Sequence, residues 1–485
     1  MIRYFVYLGT RLSALFTGKA SGHRNDKQKF SISNSLFMSL MVSISGIRGI
    51  FGSDLTPQNL TLFASAFGTW LNGGTVVVGR DSRVTGELCE RIVTASLQAT
   101  GCNVVNLGIV PTPTVAMGVL QQKASGGIII SASHNPAEWN ALKLLNGKSE
   151  FLDEKQGSEV IRIARNHSIR YRDYTGTGKV WCNETILEAH IDAILGLPYI
   201  DKEQIAKARF KVAVDAVNGA GSEAIPRLLE RLGVEQVHCM NCVPDGRFPH
   251  DPEPLPEHLG EICGLIKNGS YDIGFVTDPD ADRLSIVDEN GELLGEEYTQ
   301  AIAFDFMLGK KPGPVATNLS SSRIVDDIAA KYGQECHRSP VGEINVVKEM
   351  QRTGAVIGGE GNGGVINPDL HYGRDALAGI AMMLQHMAET RKPASLIRSE
   401  MPDYVITKTK ILLQDLDADD VLARVAEHYS AEKLNTLDGV KIDFPDGWVH
   451  LRKSNTEPII RIYSEAGNRE KAEELAADIQ KIIGN

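Results

Sequence analysis

The sequence predicts an α/β protein, with three related α/β domains plus a C-terminal α+β domain around a central cleft. Three observations carry that expectation. The chain has 485 residues, too many for one ordinary core and suited to about three domains, give or take one. From Ser43 onward, short β-rich runs alternate with helical stretches, the pattern of α/β units. Three segments then repeat one arrangement, an apolar run that enters a polar or glycine-rich loop and leaves by a second strand-like run. They are GGIIISASHNPAEWNALKLL, YDIGFVTDPDADRLSIV and AVIGGEGNGGVI. Buried strands with chemically rich loops at their ends would bring three such loops to one cleft.

Residues 1–40 stand apart. They carry Arg3, Arg11, Lys19, Arg24, Lys27 and Lys29 against the single acid Asp26. Leu12–Phe16 is too short for the apolar region of a secretory signal and is bracketed by Arg11 and Lys19. This N-terminal extension is expected to be disordered or untranslated, with translation beginning at Met38 or Met41. Domain I is placed at 41–200, with strands at Val76–Val78, Val104–Leu107 and Ile128–Ile130. Domain II, 201–300, takes strands at Val212–Val214, Ile273–Val276 and Leu284–Val287 and a helix at Glu223–Leu232. Domain III, 301–401, takes a helix at Arg323–Tyr332 closed by Gly333, and a strand at Val356–Ile357. The pattern breaks after Met401-Pro402, so 402–485 forms domain IV. Its expected elements are Trp448–Leu451, a loop, Ile459–Tyr463 and a final helix. That helix sets Ala472, Leu475, Ala476, Ile479, Ile482 and Ile483 on one face.

Composition excludes several classes. Hydrophobic residues make up 42% and charged residues 23%, the balance of a globular chain in water. No apolar run approaches the ~20 residues a membrane helix needs. The net charge of −11 disfavours nucleic acid or an anionic membrane as the main partner, although a basic pocket for a small anion fits inside an acidic shell. Seven scattered cysteines indicate a reducing, cytoplasmic compartment rather than a disulfide scaffold. Cys239 and Cys242 form a lone C-x-x-C without a second pair at zinc spacing, and read as two small side chains at a strand end.

Asp278-Pro279-Asp280-Ala281-Asp282-Arg283 holds three carboxylates at alternating positions between two apolar runs. Such a cluster is costly unless a cation neutralises it, and all-oxygen ligation points to magnesium, manganese or calcium. An EF-hand does not fit, because Arg283 stands where that loop needs glycine and strands flank it. Ser131-Ala132-Ser133-His134-Asn135-Pro136 offers a hydroxyl beside an imidazole, a nucleophile or a phosphate carrier, without the Gly-x-Ser-x-Gly elbow of an acyl-transfer enzyme. Lys143 adds positive charge there if the hairpin folds back. Arg452-Lys453-Ser454-Asn455-Thr456 packs cations and hydroxyls into a turn that suits phosphate. In Gly359-Glu360-Gly361-Asn362-Gly363-Gly364, one carboxylate and one amide sit in a loop whose glycines permit close approach, which suits sugar hydroxyls. Together these loops point to phosphoryl transfer on a carbohydrate. A metal-dependent sugar-phosphate phosphatase would use the same acidic loop.

From about Ser43 to Gln480 the chain resembles the α-D-phosphohexomutase superfamily, with four motifs in that family's order. The resemblance implies a phosphoserine at Ser133, whose oxygen joins Asp278, Asp280 and Asp282 around Mg2+, with His134 beside it and Arg283 following. It places sugar contacts at Glu360 and Asn362, and phosphate contacts at Arg452, Ser454, Asn455 and Thr456. Gly46-Ile47-Arg48-Gly49 matches the family's arginine turn and Lys143 its active-site lysine. Arg48 and Lys143 are therefore expected to handle protons, the lysine through a pKa lowered by a cationic pocket. The implied reaction interconverts hexose or hexosamine 6- and 1-phosphates through a sugar bisphosphate that also serves as activator, on a monomer or homodimer. Two departures are visible. Asn362 and Gly364 stand where many bacterial relatives have Ser and His, and Pro279 and Ala281 replace glycines and are expected to stiffen the metal loop. The sugar stays open among glucosamine, mannose and glucose phosphates.

Overall fold

A computed structural model of the chain describes residues 40–43, 46–413, 416–453 and 459–484. All but the last residue of the N-terminal extension at 1–40 lies outside them. The first sheet contains β1 (Met41–Ser43), β2 (Gly46–Ile50), β3 (Gly74–Arg80), β4 (Cys102–Ile109), β5 (Gly126–Ile130), β6 (Trp139–Asn146) and β7 (Val180–Cys182), in the order β1-β2-β6-β5-β3-β4-β7. The second contains β8 (Lys211–Asp215), β9 (Gln236–Met240), β10 (Ile273–Thr277) and β11 (Leu284–Val287), in the order β11-β10-β8-β9. The third contains β12 (Val315–Asn318), β13 (Cys336–Ser339), β14 (Ile357–Glu360) and β15 (Gly364–Ile366), in the order β15-β14-β12-β13.

The internal repeat is thereby explained. One four-strand unit recurs as β3–β6, β8–β11 and β12–β15: its first strand pairs in parallel with its second and third, and its third pairs antiparallel with its fourth. The turn from third to fourth strand is the Ser133 loop in the first sheet, the aspartate loop in the second and the Glu360 loop in the third. A core strand buried on both faces fixes each loop at its carboxyl end, where α/β folds present ligand sites.

Alternation within the strands sorts the cores. In domain I, Val76, Val78, Ile128 and Ile130 pack with Leu60, Phe63 and Phe67 on one face, while Val77, Val105, Ile129 and Leu145 pack with Val115 and Val119 on the other. Helix Pro57–Leu71 starts on Thr56, whose side chain accepts the Asn59 amide, with Pro57 where its missing N–H costs nothing. Domains II and III share one continuous core, from Val212 and Phe275 to Phe304, Ile357 and Leu377. Strand β14 begins one residue later than expected and runs on through Gly358 and Gly359 to Glu360, because a strand's pairing, not its apolar content, sets its length.

Domain IV is the expected α+β unit. Its strands β16 (Val405–Leu412), β17 (Lys433–Asn435), β18 (Val440–Phe444), β19 (Gly447–Lys453) and β20 (Ile459–Ala466) form an antiparallel sheet in the order β16-β20-β19-β18-β17. The final helix, Arg469–Gly484, packs Ala472, Leu475, Ala476, Ile479 and Ile483 onto that sheet. Ile482 is only half-buried, since at 100° per residue it falls on the edge of the stripe. All seven cysteines are free, and Cys239 sits exposed near the end of β9 as expected.

One domain IV side chain works against the core. Lys441 is buried on β18 with its Nζ 4.4 Å from the centre of the Trp448 ring. Burial, then the nearby Arg338 charge, lowers its pKa from 10.5 to about 7. Between those two values the unfolded chain binds more protons than the folded one, so Lys441 opposes folding most at neutral pH and less as pH rises. Lys441→Met is expected to raise the unfolding temperature at pH 7.5. Its advantage over the native protein should shrink steadily in unfolding scans taken from pH 7 towards 10.5.

Candidate active site

The Ser133 loop is shaped by a buried arginine that sequence reading missed. Arg83 donates to four carbonyls of this segment: Ser133 and Asn135 at 2.6 Å each, Pro136 at 2.5 Å and Trp139 at 3.0 Å. Asp81 holds Arg83 in turn, accepting from its Nε and backbone amide at 3.0 Å each. Ser133 takes a left-handed backbone with φ of 51°, a strained conformation of the kind that collects at functional sites, and its amide donates to Ser131 Oγ at 2.9 Å. Its hydroxyl donates to Asp278 Oδ2 at 2.6 Å, and His134 Nδ1 lies 3.4 Å from the same hydroxyl oxygen. Arg48 donates from Nη1 to Asn135 Oδ1 at 2.7 Å. Antiparallel pairing sets Ile129 opposite Lys143, so the hairpin folds the lysine back as anticipated.

Asp278, Asp280 and Asp282 are fully buried in the turn between β10 and β11, and one oxygen from each lies within 4.8 Å of the others. Ala281 takes φ of 51° there, so the substitution for glycine costs about 1–2 kcal/mol of backbone strain. Asp278 Oδ1 accepts the Asp282 and Arg283 amides, both at 3.2 Å. Asp280 Oδ2 accepts Thr112 Oγ1 and Lys143 Nζ, both at 2.6 Å. Asp282 Oδ2 accepts Arg374 Nη2 at 2.7 Å, with Lys143 Nζ at 3.6 Å. The second oxygens, Asp280 Oδ1 and Asp282 Oδ1, are buried with no hydrogen-bond partner. Orphaned carboxylate oxygens in a triad of hard ligands fit a divalent cation such as magnesium, manganese or calcium.

The charges here are strongly coupled. Burial, then the Asp282 and Asp280 charges, raises Asp278 well above the carboxylate range. Burial also disfavours the Asp280 carboxylate, but Lys143 outweighs it and the pKa falls. The expected lowering of the Lys143 pKa is corrected. Burial does act in that direction, but the Asp280 and Asp282 carboxylates prevail and the net shift is upward. Burial lowers the Arg48 pKa, yet a guanidinium keeps its proton in proteins. Enclosure of the ring, then Arg283 and Arg48, pushes His134 down to about 2, so its imidazole is neutral.

Glu360 closes β14, with Oε1 accepting Asn318 Nδ2 at 3.0 Å and the Gly342 amide at 3.2 Å. Arg374 Nη1 reaches its Oε2 at 3.3 Å, so one arginine bridges the sugar loop and Asp282. Gly361 lies against the Glu297 carboxylate, which would have to shift to admit a Cβ there. Arg48, Ser133, His134 and Lys143 from domain I, Arg283 from domain II, and Glu360, Asn362 and Arg374 from domain III line one cavity of about 260 Å³. A larger open cleft of about 810 Å³, near Asp201 and Lys392, contains neither the hydroxyl nor the acidic triad. Arg452 is not among the cavity's lining residues. It lies near the end of β19 with Nε 2.7 Å from Asp438 Oδ2, and Ser454, Asn455 and Thr456 lie outside the described residues.

Arg83, Arg374, Thr112 and Glu343 escaped the sequence reading because their partners lie far away in the chain. Glu343 opens helix Glu343–Thr353, where an acid is unremarkable, yet it accepts the Arg374 amide at 3.0 Å.

A serine hydroxyl, a buried acidic triad and four cations gathered from three repeated α/β domains define a multidomain enzyme whose oxygen-rich triad suits a cation. Patterns of the phosphoglucomutase/phosphomannomutase family match in order: alpha/beta/alpha domain I over residues 41–170, domain II over 188–291, domain III over 295–404 and the C-terminal domain over 396–482. The chain belongs to that family. It is 38% identical over 438 residues to the phosphoglucomutase/phosphomannomutase of Thermococcus kodakarensis, across 88% of this chain and 95% of the relative. Identity is 29% over 455 residues to the phosphoglucosamine/phosphogalactosamine mutase of Sulfurisphaera tokodaii, across 92% and 99%. The crystal structure of a phosphoglucomutase/phosphomannomutase family protein from Burkholderia thailandensis matches with a TM-score of 0.81 at 25% identity, covering 92% of this chain and 97% of that one.

Mn2+ titration of the sugar-free protein, read by electron paramagnetic resonance, tests the triad. Asp280→Ala should weaken Mn2+ binding at least about tenfold, the least that even outer-shell changes usually cost. Unchanged binding would place the cation elsewhere.

Proposed function

We propose that this chain is a phosphohexomutase that moves a phosphoryl group between the 1- and 6-positions of a hexose or hexosamine through phosphorylated Ser133. The observation that carries this reading is the Ser133 hydroxyl, donating at 2.6 Å to the first of three buried aspartates inside a cavity ringed with cations. Ser133, Asp278, Asp280 and Asp282 would hold Mg2+, which supplies charge neutralisation for the transferring phosphoryl group when bound.

The protein's own groups support the rest. Phosphorylated Ser133 donates to a hydroxyl of the bound hexose monophosphate, the P–O bond to serine breaking as the bond to the sugar forms. The bisphosphate turns within the cleft and returns its other phosphoryl group to Ser133. Arg48 and Arg283, both lining the cavity, offset charge on the phosphoryl oxygens. Lys143 does the same as a fixed cation, since the aspartates keep it protonated. His134, neutral and 3.4 Å from Ser133 Oγ, can hydrogen-bond the carrier oxygen, but a ring held at about 2 is too weak a base for the incoming hydroxyl, whose proton passes to a phosphoryl oxygen of the transferred group. Glu360 and Asn362 contact sugar hydroxyls, and the Arg452 turn holds the phosphate that is not reacting. The phosphatase alternative is not favoured, because the relatives are mutases. Relatives named for glucose, mannose and hexosamine phosphates support that substrate range. Seven free cysteines support a reducing, cytoplasmic setting.

Ser133→Ala should lower interconversion of glucose, mannose or glucosamine 1- and 6-phosphates by ~10³-fold or more while sugar-phosphate binding is largely kept. Turnover close to native in that variant refutes the assigned carrier. Release of inorganic phosphate as the main product of the native protein would favour the phosphatase.

A further inference from the structure

Between β17 and β18, Asp438 meets one group of its own domain IV and one of domain III. Its Oδ2 lies 2.7 Å from Arg452 Nε, an ion pair by distance that is not aligned as a hydrogen bond, and it accepts the Val341 amide of domain III at 2.9 Å. The next amide, that of Gly342, donates to Glu360 Oε1 at 3.2 Å, and Val341 and Gly342 both line the active-site cavity. One carboxylate oxygen thus stands between the arginine assigned to phosphate and the loop that braces the sugar-contacting glutamate.

The backbone beneath Asp438 is anchored on both sides. Gly439 has φ of 77° and lies so close to the Leu451 carbonyl that any Cβ would collide with it, which seats the turn against β19, the strand that carries Arg452. His450 on the same strand contacts the Asp438 carbonyl through Nε2 at 2.7 Å and Ser320 Oγ of domain III through Nδ1 at 2.9 Å. Burial pushes His450 down to about 4, so the ring is neutral, with Nε2–H donating to Asp438 and Nδ1 accepting from Ser320. Domain III and the Arg452 strand are therefore already tied by a neutral link. The charge on Asp438 adds orientation of the guanidinium to that link.

We propose that Asp438 is a positioning residue for the mutase reaction, holding Arg452 and the Val341–Gly342 segment in one register so that the non-reacting phosphate and the sugar ring are gripped at a fixed separation. This inference rests on the reading of Arg452 as a phosphate ligand. Because that grip is the same before and during phosphoryl transfer, its loss removes binding shared by ground and transition states and appears in KM rather than kcat.

Steady-state kinetics on a hexose monophosphate with the full-length native protein, Asp438→Ala, Asp438→Asn, Arg452→Ala and the Asp438→Ala/Arg452→Ala double variant test it, with thermal unfolding as the check on folding. Asp438→Ala is expected to raise KM about tenfold, the worth of one hydrogen bond to a charged group, with kcat largely kept. Asp438→Asn keeps an acceptor for Val341 and should fall between. In the Arg452→Ala background, Asp438→Ala should raise KM by clearly less than it does alone, because only the Val341 contact is left to lose. If Arg452→Ala raises KM and Asp438→Ala does not, or if the two effects multiply, the inference is overturned while the phosphate role of Arg452 stands. An unchanged KM in Arg452→Ala overturns that role and the inference with it.

Discussion

Three aspartates enclosed in one turn, each at 0% exposure, form the constraint that the surrounding structure answers. An ionised carboxylate taken from water costs several kcal/mol even after the protein relaxes, and three within 4.8 Å repel one another as well. Within the turn only the Asp282 and Arg283 amides and the Arg283 charge answer Asp278, while Pro279 and Ala281 offer neither charge nor side-chain donor. The rest of the compensation is imported. Lys143, Thr112 and Ser133 come from domain I and Arg374 from domain III, each donating to one carboxylate of domain II. The convergence of three domains on one cavity follows from this charge requirement as much as from apolar packing.

The same contacts place the chemistry. Ser133 cannot satisfy Asp278 without presenting its hydroxyl beside the triad. Arg374 cannot satisfy Asp282 without also meeting Glu360, so the metal turn and the sugar loop share one cation. Behind Arg374, Asp375 caps helix Ala376–Thr390 and is met by the Nε2 atoms of His190 at 2.9 Å and His371 at 3.2 Å. His190 in turn meets Thr114 at 3.0 Å, two residues from the Thr112 that serves Asp280. Polar contacts joined by short stretches of backbone thus run through all three domains beneath the cavity.

Much of the fold was legible because its determinants are local. Runs such as Val76–Val78 and Ile128–Ile130 announce strands buried on both faces, and the three strand–loop–strand segments announce the repeat, whose shared strand order the structure makes explicit. The motif residues were legible for the same reason, since Asp278, Asp280 and Asp282 sit side by side in sequence. What sequence could not supply were partners. Arg83 shapes a loop 50 residues away, and Arg374 serves an aspartate 92 residues away. The sign of the Lys143 shift also depends on partners. A lysine among arginines reads as destabilised, and only the position of Asp280 against its ammonium turns the shift upward.

The central claim is that Ser133 carries the phosphoryl group in the working enzyme. Intact-protein mass spectrometry with peptide mapping, on protein converting a hexose phosphate, tests it most directly. A single phosphoryl adduct is expected on the peptide containing Ser133, formed on incubation with a sugar 1,6-bisphosphate and discharged when hexose monophosphate is added. Full turnover with no adduct at Ser133 would contradict it.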